Sequence, residues 1–101
     1  TKLKLNGSPI TDAGLKHLRG LTKLVQLHLA GTKITDAGLE HVEALQNLGF
    51  LDLSHTQVTN AGLEHLDSFK KCKTIRLSGT NVTDLGVTKL KRALTGCKIT
   101  D

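Results

Sequence analysis

The chain repeats itself every 24 residues. Leu5, Leu29, Leu53 and Leu77 stand one period apart, as do Ile10, Ile34, Val58 and Val82, and so do Gly14, Gly38, Gly62 and Gly86. Self-similarity on this scale means that each unit is one supersecondary element, stable only when stacked on its neighbours. The 101 residues hold slightly more than four units, enough for stacking to yield a continuous core. The units run 1–23, 24–47, 48–71 and 72–96, with a short terminal strand over 97–101, so the chain reads as a single domain.

In the second unit Leu27 and Leu29 alternate with His28 and Ala30, the period of a short strand with one buried face. Leu39, Val42 and Leu45 then recur every three residues, which is one stripe of a helix. The same offsets give Leu3, Leu5, Leu15, Leu18 and Leu21 in the first unit, and Leu51, Leu53, Leu63, Leu66 and Phe69 in the third. The fourth has Cys72, Ile75, Leu77, Val87 and Leu90. A strand of this kind can pair only with its copy in the next unit, so the strands run parallel and the helices return the chain along the outside. The predicted architecture is an α/β solenoid with a curved parallel sheet on its concave face and helices on its convex face.

The turns agree. Thr11-Asp12, Thr35-Asp36, Thr59-Asn60 and Thr83-Asp84 each set two favoured N-cap residues before an apolar helical run, and are expected to cap the helices. The glycines at 14, 38, 62 and 86 fall inside the first helical turn, where Gly costs about 1 kcal/mol relative to Ala. Their recurrence implies that a neighbour comes too close for a Cβ. Cys72 and Cys97 stand where other units carry Leu and read as small buried hydrophobes. A bridge is the alternative if the two stack directly in adjacent strands.

The pattern Leu24-x-x-Leu27-x-Leu29-x-x-Thr32-x-Ile34, followed by Thr35-Asp36-Ala37-Gly38-Leu39-x-x-Val42, resembles a leucine-rich repeat. Its Ile-Thr-Asp-x-Gly-Leu block is similar to the cysteine-containing and ribonuclease-inhibitor-like subfamilies. The tandem Gly-Thr-x-Ile-Thr-Asp-Ala-Gly-Leu arrangement and the closing run Leu90 to Ile99 look like bacterial, planctomycete-type arrays. Two features depart from those subfamilies. The unit is shorter, and Ser8, Thr32, Thr56 and Thr80 fill the position usually held by Asn or Cys, implying a ladder of hydroxyls. The resemblance implies a non-enzymatic surface that binds another protein.

The strand residues pointing away from the core are expected to line that surface: Lys2, Lys4 and Asn6; Gln26, His28 and Ala30; Phe50, Asp52 and Ser54; Thr74, Arg76 and Ser78. Phe50 is one of only two aromatic residues, and repeat alignment turns it outward. Ringed by His28, Asp52, His55 and Arg76, with Gln26 and Thr74 beside it, it is the candidate hot spot, because binding energy concentrates in aromatic and Arg anchors.

Other chemistry recedes once the columns are drawn. Asp12, Asp36 and Asp84 look like acid/base candidates, but Asn60 shares their column, and Asn can cap a helix while it cannot act as a general base. His17, His41 and His65 form another column, which suggests a metal site. Helix axes 8–10 Å apart, with no further ligand at suitable spacing, argue instead for a duplicated surface residue. No nucleophile motif or phosphate-binding loop occurs, so no enzyme activity and no cofactor is expected. No run is long and apolar enough for a membrane span.

Eight Lys and Arg residues fall between Lys70 and Lys98, opposed only by Asp84. They are scattered over strand, helix and loop without interleaved aromatics, which argues for a polar end cap and against nucleic-acid binding. At the other end the first strand begins inside a unit with nothing before it. Either this is a piece of a longer protein, or the exposed strand edge joins a second chain in a structural, self-assembling array.

Overall fold

The computed structural model describes residues 1–101. Five three-residue strands, β1 (Lys2–Lys4), β2 (Gln26–His28), β3 (Phe50–Asp52), β4 (Thr74–Arg76) and β5 (Lys98–Thr100), form one parallel sheet in sequence order. Between them lie α1 (Asp12–Leu15), α2 (Asp36–Val42), α3 (Asn60–Leu63) and α4 (Asp84–Ala93), with 3₁₀ turns extending α1 and α3 over Lys16–Leu18 and Glu64–Leu66. The register advances by one period per strand: Leu3 faces Leu27, Leu27 faces Leu51, Leu51 faces Ile75 and Ile75 faces Ile99. Strands stack about 4.7–4.9 Å apart while packed helices need about 8–10 Å, so a stack of such units bends toward its sheet.

The middle residue of each strand points into the core, with Leu29, Leu53 and Leu77 following one pleat later. Leu27, Leu29, Ile34, Leu39, Leu45, Leu48, Leu51, Leu53, Val58, Leu66 and Ile75 have no solvent exposure. Phe69 is also buried, so the second of the two aromatics belongs wholly to the core. The first unit differs. Leu15 is sealed, but Leu3, Leu5, Ile10 and Leu18 are half-buried and Leu21 lies exposed.

The Asp-Thr turns do more than cap helices. Thr35 and Thr59 accept N–H bonds from Ala37 and Ala61 as expected, whereas Thr11 and Thr83 make no such side-chain bond. The carboxylates reach into the following unit instead. Asp12 accepts from the Thr35 N–H at 2.8 Å and from its hydroxyl at 2.5 Å, and Asp36 accepts from the Thr59 N–H at 2.7 Å and its hydroxyl at 2.5 Å. Asn60 reproduces the rung with Thr83: its carbonyl accepts the N–H at 2.9 Å and its amide donates to the hydroxyl at 2.8 Å.

The glycine column has its cause here. A methyl group on Gly38, Gly62 or Gly86 would overlap the side-chain oxygen of Asp12, Asp36 or Asn60. At these three positions what excludes a Cβ is the preceding unit's side chain, whereas at Gly14 it is Ile10 of the same unit.

The expected hydroxyl ladder is absent. Thr32, Thr56 and Thr80 donate to the carbonyls of Leu29, Leu53 and Leu77 three residues back, at 2.8, 2.7 and 2.6 Å, so each hydroxyl closes its own turn. A short side chain with one O–H satisfies the adjacent carbonyl and has no reach for the next unit. At the far end, the pairing of Thr74 with Lys98 puts Cys97 one step out of line with Cys72. Both are free thiols. Burial pushes the Cys72 thiol up to about 12, with Cys97 adding to the effect, and burial raises Cys97 as well.

Candidate functional site

Outside the core column, the sheet presents two rows of side chains. One runs Lys2, Gln26, Phe50, Thr74, Lys98 and the other Lys4, His28, Asp52, Arg76, Thr100. Strand periodicity places both on the face away from the helices. The Phe50 ring belongs to the first row but meets the second. Its centroid lies 4.7 Å from that of His28, with the planes inclined at 32°, and the Arg76 guanidinium carbon is 5.3 Å from the ring centre. The two partners come from β2 and β4, so they flank the ring from either side, and Asp52 stands between them in their row.

This arrangement changes two of the expected roles. Phe50 is half-buried rather than freely exposed, and Asp52, expected to point out into solvent, is only 8% exposed. An Asp52 carboxylate oxygen accepts the Ser54 N–H at 3.0 Å, which gives the anion a partner under the cluster. Gln26 is tied to His28 by a 3.3 Å contact between its carbonyl oxygen and Nε2. Thr74 is half-buried next to Phe50 in the first row. Burial holds His28 below its ordinary value, reinforced by Lys4, Lys2 and Arg76 and opposed by Asp52, so the ring is neutral at pH 7.

His55 stands in the turn after β3, with φ of 58°, at the position taken by Gly7, Gly31 and Gly79 in the other units, whose φ values are 69°, 71° and 71°. Its imidazole covers Gly79, so close that a Cβ there would overlap the ring. It is a strained turn residue, and the imidazole in ring contact with Phe50 is that of His28.

The histidine column is similarly dispersed. His41 meets Arg19 at 3.5 Å and His65 pairs with Glu43 at 3.1 Å, each across to the preceding unit. No group of three or more His, Cys, Asp or Glu side chains is placed to hold a metal ion. In the basic end, Lys70 donates to the Ala93 carbonyl at 2.8 Å, and Lys71 donates to the Asn47 side chain at 2.9 Å. These lysines tie neighbouring units together. No helix is long and apolar enough to cross a membrane.

The comparisons agree with the fold. The family model described as Leucine Rich repeat matches residues 20–41 and 44–66. The chain folds as a leucine-rich-repeat solenoid. Among solved structures it is similar to an internalin from Listeria monocytogenes, at 21% identity and a TM-score of 0.63, over 100% of this chain and 34% of that one. It is also similar to a leucine-rich-repeat protein of Leptospira interrogans, at 20% identity and a TM-score of 0.65, over 96% of this chain and 30% of that one. The chain thus spans about a third of the length of each of these structures. No curated protein matches the sequence. The leucine-rich-repeat fold commonly serves protein–protein interaction, and both solved relatives are bacterial.

Proposed function

We propose that this chain is a non-enzymatic interaction module that binds another protein through the concave sheet face. The observation that carries the reading is the Phe50 cluster. The core column of the sheet repeats Leu or Ile from strand to strand, whereas the two outward rows change from strand to strand, so the core does not dictate their identities. Phe50 is the one Phe, Tyr or Trp residue in those rows, and it is flanked by Arg76 and His28 from the neighbouring strands. Aromatic and Arg side chains held in place by neighbours lose little freedom on binding, which is why they dominate interface energetics.

Phe50→Ala and Arg76→Ala are expected to weaken capture of the partner protein by the immobilised chain, with thermal stability nearly unchanged. Undiminished capture by both variants would move the binding face elsewhere. A large drop in melting temperature for Phe50→Ala would make the ring a structural element.

A second reading has its own observation. At the N-terminal end Thr1, Lys2, Leu3, Leu21, Lys23 and Leu24 line an open groove, Leu21 is 46% exposed, and the outer edge of β1 has no strand beside it. Such an edge can pair with another chain and so build a structural array. Light scattering over a concentration series separates the readings, since a strict monomer removes self-assembly.

A further inference from the structure

We infer that the partner segment laid across the concave face is an extended, acidic stretch of protein carrying an apolar residue among its carboxylates, an inference that rests on the concave-face reading above. Four permanent cations, Lys2, Lys4, Arg76 and Lys98, stand exposed in the two outward rows. The rows contain one anion, Asp52, and it is buried and occupied by the Ser54 N–H. None of the four cations takes part in a salt bridge, the one pair in the molecule being His65 with Glu43 on the helical side. This separates them from Lys70 and Lys71, whose ammonium groups are used within the fold. An approaching chain therefore meets positive charge with no accessible counter-charge of the protein's own, and complementarity calls for carboxylates.

The layout sets the shape of the ligand. Lys2 and Lys98 close the same row at its two ends, with three strands between them. Four strand spacings amount to roughly 19 Å, which is about six residues of extended peptide. Phe50 lies at the middle of that row, so the apolar contact falls between the charged ones.

The same cluster disfavours nucleic acid, the other polyanion that a basic face could hold. Base stacking needs a free aromatic face. His28 and Arg76 flank the only Phe, Tyr or Trp ring outside the core.

His28 makes the interaction depend on pH. The groups facing it are Lys2 and Lys4 from β1, Asp52 from β3 and Arg76 from β4, together with Gln26 on its own strand. Burial and the three cations keep it neutral in the free protein. A carboxylate arriving beside it favours the imidazolium, so acidic ligands gain affinity as pH falls through the His28 titration.

The test is fluorescence anisotropy at low salt on the intact chain with three labelled probes. These are a decapeptide of Glu and Asp with a central Leu, its Gln and Asn counterpart, and a ten-nucleotide single-stranded DNA. The acidic peptide should bind about tenfold more tightly than the amide peptide, as expected for several partly exposed ion pairs. Affinity for it should rise between pH 7 and pH 5.5, less so in His28→Gln. Arg76→Ala and Lys4→Ala should each cost roughly threefold, and Lys91→Ala, on α4 away from the sheet, should cost nothing.

Equal binding of the two peptides, with both weakened by Phe50→Ala, would refute the acidic assignment and leave the concave-face reading standing. Acidic-peptide binding that survives Phe50→Ala and Arg76→Ala unchanged would overturn the concave-face reading itself. DNA binding as tight as the acidic peptide, or a loss in Lys91→Ala equal to that in Arg76→Ala, would show a general polyanion effect and also refute the proposal.

Discussion

The first and second units carry nearly the same residues at the same offsets and differ in how well they are buried. Leu27 and Leu29 are sealed, but Leu3 and Leu5, one period earlier, are half-exposed. Leu45 has no exposure, and Leu21, its counterpart, is 46% exposed. The sequence pattern is not the cause, because it is shared. An inner unit has a neighbour on each side, and the first has one. In a solenoid, burial is a property of the stack, and an apolar residue contributes stability only in proportion to the units that flank it.

The largest test of that contrast compares one core column at two positions. Leu51→Ala should destabilise the chain by about 2–5 kcal/mol, the range for a fully buried Leu, while Leu3→Ala should cost well under half as much. Urea unfolding of both variants measures the difference. Equal losses would mean that the first unit is covered in solution, and the effect of Leu3→Ala would then grow with protein concentration.

The inter-unit rungs give the next largest effect. Asp36→Ala removes a charged acceptor from the Thr59 N–H and hydroxyl and should cost about 1.5–3 kcal/mol. Asp84, in the same column, makes no such rung within these residues and serves only the first turn of its own helix, so Ala there should cost less than about 1 kcal/mol. A double-mutant cycle sharpens the point. Gly62→Ala should be harmful in the native background and much less so beside Asp36→Ala, because the group it collides with is gone. Additive effects would show that Gly62 is required by something other than the Asp36 carboxylate.

The stack was legible from the sequence because it rests on periodicity, and periodicity is visible without coordinates. Strand register, parallel order and the core columns all follow from a constant offset between Leu residues. The rungs were only half legible. The Thr-Asp pairs stood out, but an acidic residue before a helix reads as a local cap, and nothing in the order of residues tells whether its carboxylate turns to its own helix or to the Thr 23 positions later. The Gly column held the missing clue, since a close approach repeated in register demanded something to approach.

At the concave face the pattern showed which residues point outward. It did not show that the Phe50 ring meets His28 and Arg76 of the next row or that Asp52 is buried, because side-chain direction within a face is set by rotamers and neighbours rather than by parity. For the same reason it did not show that the His55 imidazole lies over Gly79 of the next unit.

The smallest predicted effect concerns His55 itself, where one unit of the array departs from the other three. Gly7, Gly31 and Gly79 hold a left-handed backbone at no steric cost, and His55 adopts the same conformation with a Cβ, at about 1–2 kcal/mol. His55→Gly removes that strain but loosens the unfolded chain, which returns about 0.4–1 kcal/mol of the gain. The balance should be a stabilisation of at most about 1.6 kcal/mol, read as a small rise in urea midpoint with unchanged slope. A fall in midpoint instead would show that the imidazole packed over Gly79 holds two units together by more than the strain it introduces. In that case the third unit would owe part of its stability to a contact that no other unit makes, and its departure from the repeat would be structural rather than a vestige of divergence.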